Sequence, residues 1–542
     1  MFEGKNIIPK PENEPILTYL HGSPEKSLVK IAINKIKNTS LEIPLIINGK
    51  KIRTGNVISS IMPHDHHQTL AKYHKATEEE VHRAIDSALL SRKIWAKIPW
   101  YDRAAIFLKA ADLLSGPYRS TVTAATMLSI GKTIYQAEID IAELIDFWRF
   151  NVFYMQKVYE NQPFNALHEL NRLDYRPLEG FVFAVTPFNF LSIMGNLPTA
   201  PAIMGNVVVW KPASTAIYPS YYIMDILMKA GLPSGVINFV PGDASLIGKI
   251  MIKSPELAGL HFTGSTNTFK TLWMNMSENI HVYRNFPRIV GETGGKDFIF
   301  VHKSADVESL ISALIRAAFQ YSGQKCSAAS RSYIPESLWP NVKEKLLKTT
   351  SKLKMGDIEN FTTFLGAVID KRAYNKIVGY IEEVKKSSSA EILIGGSYDA
   401  SRGYFIEPTI IQTWDPKFKT MEEEIFGPIL TIYVYPDEKY EETLHLCDET
   451  SPYGLTGSIF AQDRKAIKLA SEVLRYAAGN FYINNKPTAA VVGRQPFGGA
   501  RASGTNDKAG SMWNLLRWVS PRSIKENFAP PRDYDYPHMS EP

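Results

Sequence analysis

The run Phe181-Val182-Phe183-Ala184-Val185-Thr186-Pro187-Phe188-Asn189-Phe190, followed at Asn206 by a second apolar run ending in Trp210-Lys211-Pro212, decides the reading of the fold. Phe181–Val185 and Asn206–Trp210 are short and continuously apolar, the pattern of strands buried on both faces. Towards the C-terminus, Tyr218–Ala230 reads as a helix and Val236–Val240 as a strand. Ser245–Ile252 is a helix, Gly259–Phe262 a strand and Asn267–Glu278 a helix. Apolar strands alternating with helices give a parallel sheet covered on both faces, an α/β fold whose ligands bind at the carboxyl ends of the strands. Phe181–Trp210 carries no charge and is long enough to span a bilayer. Pro187, Pro198 and Pro201, with Asn189, Asn196 and Asn206, argue instead for a strand, loop and helix in a large core, so no membrane is expected.

A second α/β series begins near Lys296–Val301. It continues through helices at Val307–Gln320 and Leu338–Ser351 and strand-like runs at Ile429–Tyr435 and Gly457–Phe460. On the N-terminal side, Ile46–Ile52 reads as a hairpin around Asn48-Gly49, because both turn residues tolerate φ > 0. Thr77 and Glu80 form a capping box ahead of a helix. Tyr101–Leu114 and Thr133–Phe150 continue the helical pattern. Gly479–Gly510 is rich in small residues and reads as a long loop, a length that usually signals function.

The chain has 542 residues, 44% hydrophobic and 21% charged, with 61 basic and 55 acidic residues and a net charge of +6. That balance excludes a disordered chain, a collagen-like repeat and a disulfide scaffold. It also offers no basic stretch for nucleic acid. Cys326 and Cys447 are the two cysteines, and no CxxC exists, so a reducing compartment is expected and a thiolate zinc site is not. His64-Asp65-His66-His67 is read as a solvated loop rather than a metal site. Met1–Pro15 has neither the apolar run of a signal peptide nor the arginine-rich character of a transit peptide.

Three places carry chemistry. Gly264-Ser265-Thr266 lies between a strand and a helix, where free helix N-terminal N–H groups suit a phosphate, although Ser and Thr also occur there as plain N-caps. Gly323-Gln324-Lys325-Cys326 puts a cysteine beside a cation, an arrangement that lowers a thiol pKa and makes Cys326 a candidate nucleophile, while a buried structural thiol is the commoner fate of a lone cysteine. Glu292, between glycines in Gly291-Glu292-Thr293-Gly294-Gly295-Lys296, suits a general base or a salt-bridge partner.

Taken in order, Thr186-Pro187-Phe188-Asn189-Phe190, Trp210-Lys211-Pro212, Phe262-Thr263-Gly264-Ser265, Gly291–Lys296, Gly323–Cys326 and Glu424-Ile425-Phe426-Gly427-Pro428 resemble the aldehyde dehydrogenase superfamily. A narrower resemblance, to the members that oxidise L-glutamate γ-semialdehyde (the open form of 1-pyrroline-5-carboxylate), rests on five further groups of residues. These are Asn13-Glu14-Pro15, Gly22-Ser23-Pro24-Glu25, Gln136–Asp140, Glu143–Phe147 and Gln495-Pro496-Phe497-Gly498-Gly499-Ala500-Arg501-Ala502-Ser503-Gly504-Thr505-Asn506.

The resemblance implies a Rossmann-like NAD-binding domain (1–168 and 181–291), an α/β catalytic domain (292–485), a substrate anchor loop (486–510) and a small β oligomerisation flap with the tail (169–180 and 511–542). It implies NAD-dependent oxidation of the semialdehyde to L-glutamate, the second step of proline catabolism, with another semialdehyde or an aliphatic aldehyde as the alternative substrate. Cys326 would be the nucleophile, Glu292 the base that hydrolyses the thioester, and Asn189 an oxyanion donor. Thr186, Lys211, Ser214, Gly264, Ser265, Thr266, Glu424 and Phe426 would hold NAD. Ser214 replaces the glutamate that many relatives direct at the ribose. Phe190 and Phe497 would clamp the substrate chain, Glu143 would face its amino group, and Lys325, Ser327, Ala489 and Ala490 its carboxylate. Here the chain departs from its relatives, which commonly carry Gly-Ser or Gly-Ala where it has Ala489-Ala490. Arg494 would supply compensating charge or face solvent. The implied partners are a second copy in a homodimer or larger assembly and an upstream proline dehydrogenase. The implied compartment is a bacterial-type cytoplasm, or the mitochondrial matrix for a processed form.

Overall fold

Phe181–Val185, Val207–Lys211, Ile237–Phe239, Leu257–Thr263 and Arg288–Glu292 pair in parallel in the computed structural model, which describes residues 6–540. Glu3 and the last two residues of the tail therefore lie outside the described residues. In space, the strand at Phe181 lies between those at Val207 and Leu257. The chain reverses direction across the sheet at that point, so the ends Val185 and Thr263 open a crevice, the usual ligand position in such sheets. Leu45–Ile47 and Lys50–Ile52 extend the sheet to seven strands. Their turn has Asn48 at φ 52° and Gly49 at φ 69°, as the hairpin reading requires.

A second seven-stranded sheet runs from Ala390–Ile394 at one edge to Asn480–Ile483 at the other. Asp297–Val301, Ala329–Pro335, Thr409–Thr413, Ile429–Tyr435 and Thr456–Phe460 lie between them. Asn480–Ile483 falls inside the segment read as loop. It is an edge strand with half its side chains in solvent, too short to show a period. Glu169–Pro177 pairs over nine residues with Val519–Asn527, forming an exposed two-stranded ribbon.

One reading needs correction. His64-Asp65-His66-His67 is not a solvated loop. His64 and Asp65 are buried, and Asp65 opens the strand Asp65–His74 of a three-stranded sheet that the polar run conceals. The strand, loop and helix read over 181–210 are present, and the prolines at 198 and 201 both lie inside the helix Leu191–Ile203. Pro201 has no N–H to offer the Leu197 carbonyl one turn back. The buried ring of His261 donates to that carbonyl from Nδ1 at 2.8 Å. Burial pushes the His261 pKa down to about 3, so the ring stays neutral and serves as a helix repair.

Among the described residues, no helix is long and apolar enough to cross a membrane.

Candidate active site

The nucleophile segment leaves the helix Val307–Phe319 through three consecutive left-handed residues: Tyr321, Ser322 and Gly323. A non-glycine residue in that region costs on the order of 1–3 kcal/mol and persists only where the surroundings fix it. Ser322 Oγ donates to the Gly366 carbonyl at 2.7 Å. A Cβ on Gly323 would run into the Gly427 carbonyl. The turn delivers Cys326, partly buried, into a cavity of about 530 Å³.

Glu292, Glu143, Phe190, Phe497, Lys325 and Ser327 line the same cavity as Cys326. Ala490 does too, whereas Ala489 is not part of the lining. Asn189 is buried, and its Nδ2 donates to the Gln324 carbonyl at 3.1 Å, which places its amide against the cysteine loop. The Cys326 backbone N–H has no acceptor among the described residues, as an oxyanion donor requires. Arg494 is exposed, its Nε donating to Asn13 Oδ1 at 3.1 Å, and it is not part of the cavity lining, in keeping with the solvent-facing alternative.

The electrostatics differ from the sequence expectation at one point. Lys325 does not lower the Cys326 pKa. Burial pushes the thiol up, and the carboxylates of Asp297, Glu292 and Glu424 add to that. Lys325 is itself desolvated, and its pKa lies well below the usual lysine range. Glu292 accepts from Gly499 N–H at 3.1 Å, yet burial raises its pKa well above the usual carboxylate value. Glu143 accepts from Ser192 Oγ at 2.6 Å and is pushed up to about 7, chiefly by burial. Behind it, a fully buried Lys132–Asp140 ion pair supports the wall, and Lys132 Nζ sits 4.1 Å from the centre of the Phe190 ring.

Labelling follows exposure rather than thiolate content. Cys447 is fully buried, with its pKa pushed up to about 12. Iodoacetamide should therefore modify Cys326 first, at a rate that climbs with pH, and peptide mapping that finds both thiols labelled equally would contradict the geometry.

The residues at the sheet crevice fit a dinucleotide. Ser265 caps the helix Thr266–Glu278, its Oγ accepting from Thr268 N–H at 3.3 Å, beside Gly264 at the strand end. A cavity of about 630 Å³ lies between this helix and Ala244–Lys253. Lys211 is buried, its carbonyl accepting from Thr186 N–H at 3.2 Å while its Nζ has no hydrogen bond among the described residues, and desolvation lowers its pKa to about 8. Glu424 accepts from Gly295 N–H at 2.9 Å, and Phe426, at φ 62°, packs edge-on to Phe188 with ring centres 5.9 Å apart. Ser214 is exposed at the start of a short turn. The hydroxyl oxygen of Thr186 accepts from Trp210 Nε1 at 3.0 Å, and that of Thr266 accepts from Gly294 N–H at 3.3 Å. Both hydroxyls thus brace neighbouring backbone or ring.

Sequence reasoning missed Arg316, Gln136 and Thr488 in the main cavity and gave Lys486 no role. A lone cation on the apolar helix leading into Gly323–Cys326 was the available signal for Arg316.

The chain belongs to the aldehyde dehydrogenase family, whose profile matches residues 51–524. Within it, the chain is 54% identical over 539 residues to the mitochondrial delta-1-pyrroline-5-carboxylate dehydrogenase of Dictyostelium discoideum, covering 99% of this chain and 97% of the relative. It is 50% identical over 532 residues to the enzyme of that name from Homo sapiens, covering 98% and 94%. A crystal structure of the delta-pyrroline-5-carboxylate dehydrogenase of Mycobacterium tuberculosis bound with NAD matches with a TM-score of 0.96 at 49% identity, over 100% of both chains.

Proposed function

We propose that this chain oxidises L-glutamate γ-semialdehyde, formed by opening of 1-pyrroline-5-carboxylate, to L-glutamate with NAD. The observation that carries this reading is one cavity in which Cys326 and Glu292 stand with an acid, Glu143, and a base, Lys325. A substrate bearing both an ammonium and a carboxylate matches that pair.

NAD, when bound, supplies the hydride acceptor. Cys326 Sγ adds to the aldehyde carbon as the thiolate, giving a thiohemiacetal. Asn189 Nδ2 and the Cys326 N–H stabilise its oxygen, a contribution of roughly 3 kcal/mol per donor in comparable sites. Loss of hydride leaves a thioester on Cys326. Glu292 takes a proton from water, the hydroxyl adds to the thioester carbon, and the C–S bond breaks to release glutamate and the thiolate. Phe190 and Phe497 hold the methylene chain, Glu143 faces the ammonium, and Lys325, Ser327 and Ala490 surround the carboxylate. Lys211, Gly264, Ser265 and Glu424 hold the cofactor, with Thr186, Ser214, Thr266 and Phe426 shaping its groove.

We assign residues 1–168 and 181–291 to cofactor binding, 292–485 to catalysis and 486–510 to substrate anchoring. The flap and tail of 169–180 and 511–542 are assigned to assembly, because the open edges of the ribbon Glu169–Pro177 and Val519–Asn527 invite a second copy. A proline dehydrogenase would supply the substrate. Two of the relatives carry a mitochondrial name, which favours the matrix over the cytoplasm expected from the sequence.

NADH formation tests the proposal. The kcat/KM for glutamate semialdehyde should exceed that for hexanal by roughly a hundredfold, because hexanal leaves buried charges unpaired. Ala490, which has no hydroxyl for the carboxylate, favours a second reading with another semialdehyde. A higher kcat/KM for succinate semialdehyde would establish it.

A further inference from the structure

Three cations face the main cavity, and the proposed reaction uses one of them. Lys325 is buried beside Cys326. Lys486 and Arg316 line the same cavity from the anchor loop and from the helix Val307–Phe319. Lys486 Nζ donates to the Thr488 carbonyl at 2.8 Å and to Thr488 Oγ1 at 2.9 Å, which fixes the ammonium with its charge uncompensated. Arg316 is exposed and has no hydrogen bond or ion pair among the described residues. The two cations repel, and Lys486 is lowered to about 8, first by burial and then by Arg316. The same repulsion extends inward from Lys486 to Lys325. Cations gathered without a counter-ion on one wall of a cavity are held for an anion.

We propose that Arg316 and Lys486 form an outer carboxylate-recognition site, which draws a carboxylate-bearing aldehyde into the cavity and orients it before it reaches Lys325 and Ser327. Glu143 lies in the same cavity, so the positive charges and the acid define a direction for a zwitterion: carboxylate towards Arg316 and Lys486, ammonium towards Glu143. Charge lining a cleft with low-dielectric walls raises the local concentration of an oppositely charged ligand and its association rate, and salt weakens the effect. Such a site also accounts for how a loop with Ala490 in place of a hydroxyl keeps its grip on the substrate. The inference rests on the proposed substrate class, and its test separates the two.

The enzyme, Arg316→Gln, Lys486→Gln and the double variant would be assayed for kcat/KM with glutamate semialdehyde, succinate semialdehyde and hexanal, at low and at high sodium chloride. The double variant should lose roughly tenfold on both carboxylate-bearing aldehydes at low salt. The loss should shrink as salt rises, and it should be confined to those two substrates. A loss that extends equally to hexanal would mean that the residues hold the fold of the loop, and would overturn the site. So would an unchanged kcat/KM in a wild-type background that favours the carboxylates, with the substrate reading left standing. A wild-type enzyme as fast on hexanal as on either semialdehyde would overturn the substrate reading and this site together.

Discussion

Replacing Cys326 with alanine is expected to reduce NADH formation below about a thousandth of the wild-type rate, as removal of a nucleophile does in other enzymes that act through one. The fold should not suffer. Cys326 is partly exposed at the cavity floor, and the bonds that set its loop belong to Gln324, whose side chain accepts from Ile369 N–H at 2.8 Å, and to Ser322. NAD binding, followed by quenching of protein fluorescence, should persist. Turnover above a few per cent of wild type would remove Cys326 from the mechanism, because Cys447 is sealed in the core and cannot substitute.

Glu292→Gln is expected to separate the two halves of the reaction. A burst of NADH close to one per active site should be followed by steady turnover lowered about 10²- to 10⁴-fold, the range in which a general base contributes. The pH profile of the wild-type enzyme gives the companion result. Burial raises the Glu292 pKa, so the basic form accumulates only above that raised value. Thioester hydrolysis should therefore climb as pH rises and fall as pH is lowered, while the variant should lose this dependence. Equal slowing of burst and steady state would place Glu292 before the thioester.

The strands and helices around Phe181 were legible because continuous apolar runs and caps are local signals, and the structure moves their ends by a residue or two. What escaped the sequence depends on distant partners. The helix Leu191–Ile203 holds two prolines, and His261, 64 residues from Leu197, donates to the carbonyl that Pro201 leaves free. His64 looked solvated because its neighbours are polar, and only the fold buries it.

The site shows the same division. Cys326, Glu292 and Asn189 stand in recognisable runs. The sign of the shift at Cys326 did not follow from its neighbour Lys325, because burial raises the thiol pKa and the carboxylates of Asp297, Glu292 and Glu424 add to it. Asn13-Glu14-Pro15 matched as a motif, and its use lies in packing: Asn13 Nδ2 donates to Asp146 Oδ2 and to the Val492 carbonyl, each at 2.8 Å. That strap ties the N-terminal segment to the anchor loop.

Gly323 joins two loops that approach the reaction from opposite sides. The Gly427 carbonyl occupies the space where its side chain would stand, and Gly427 follows Glu424 and Phe426 on the cofactor side. The close approach packs the thiol-bearing turn directly against the loop that carries Glu424 and Phe426, with no room for a side chain between them. Even an alanine at 323, at φ 68°, would act as a wedge, spoiling the distance between sulfur and nicotinamide without touching either.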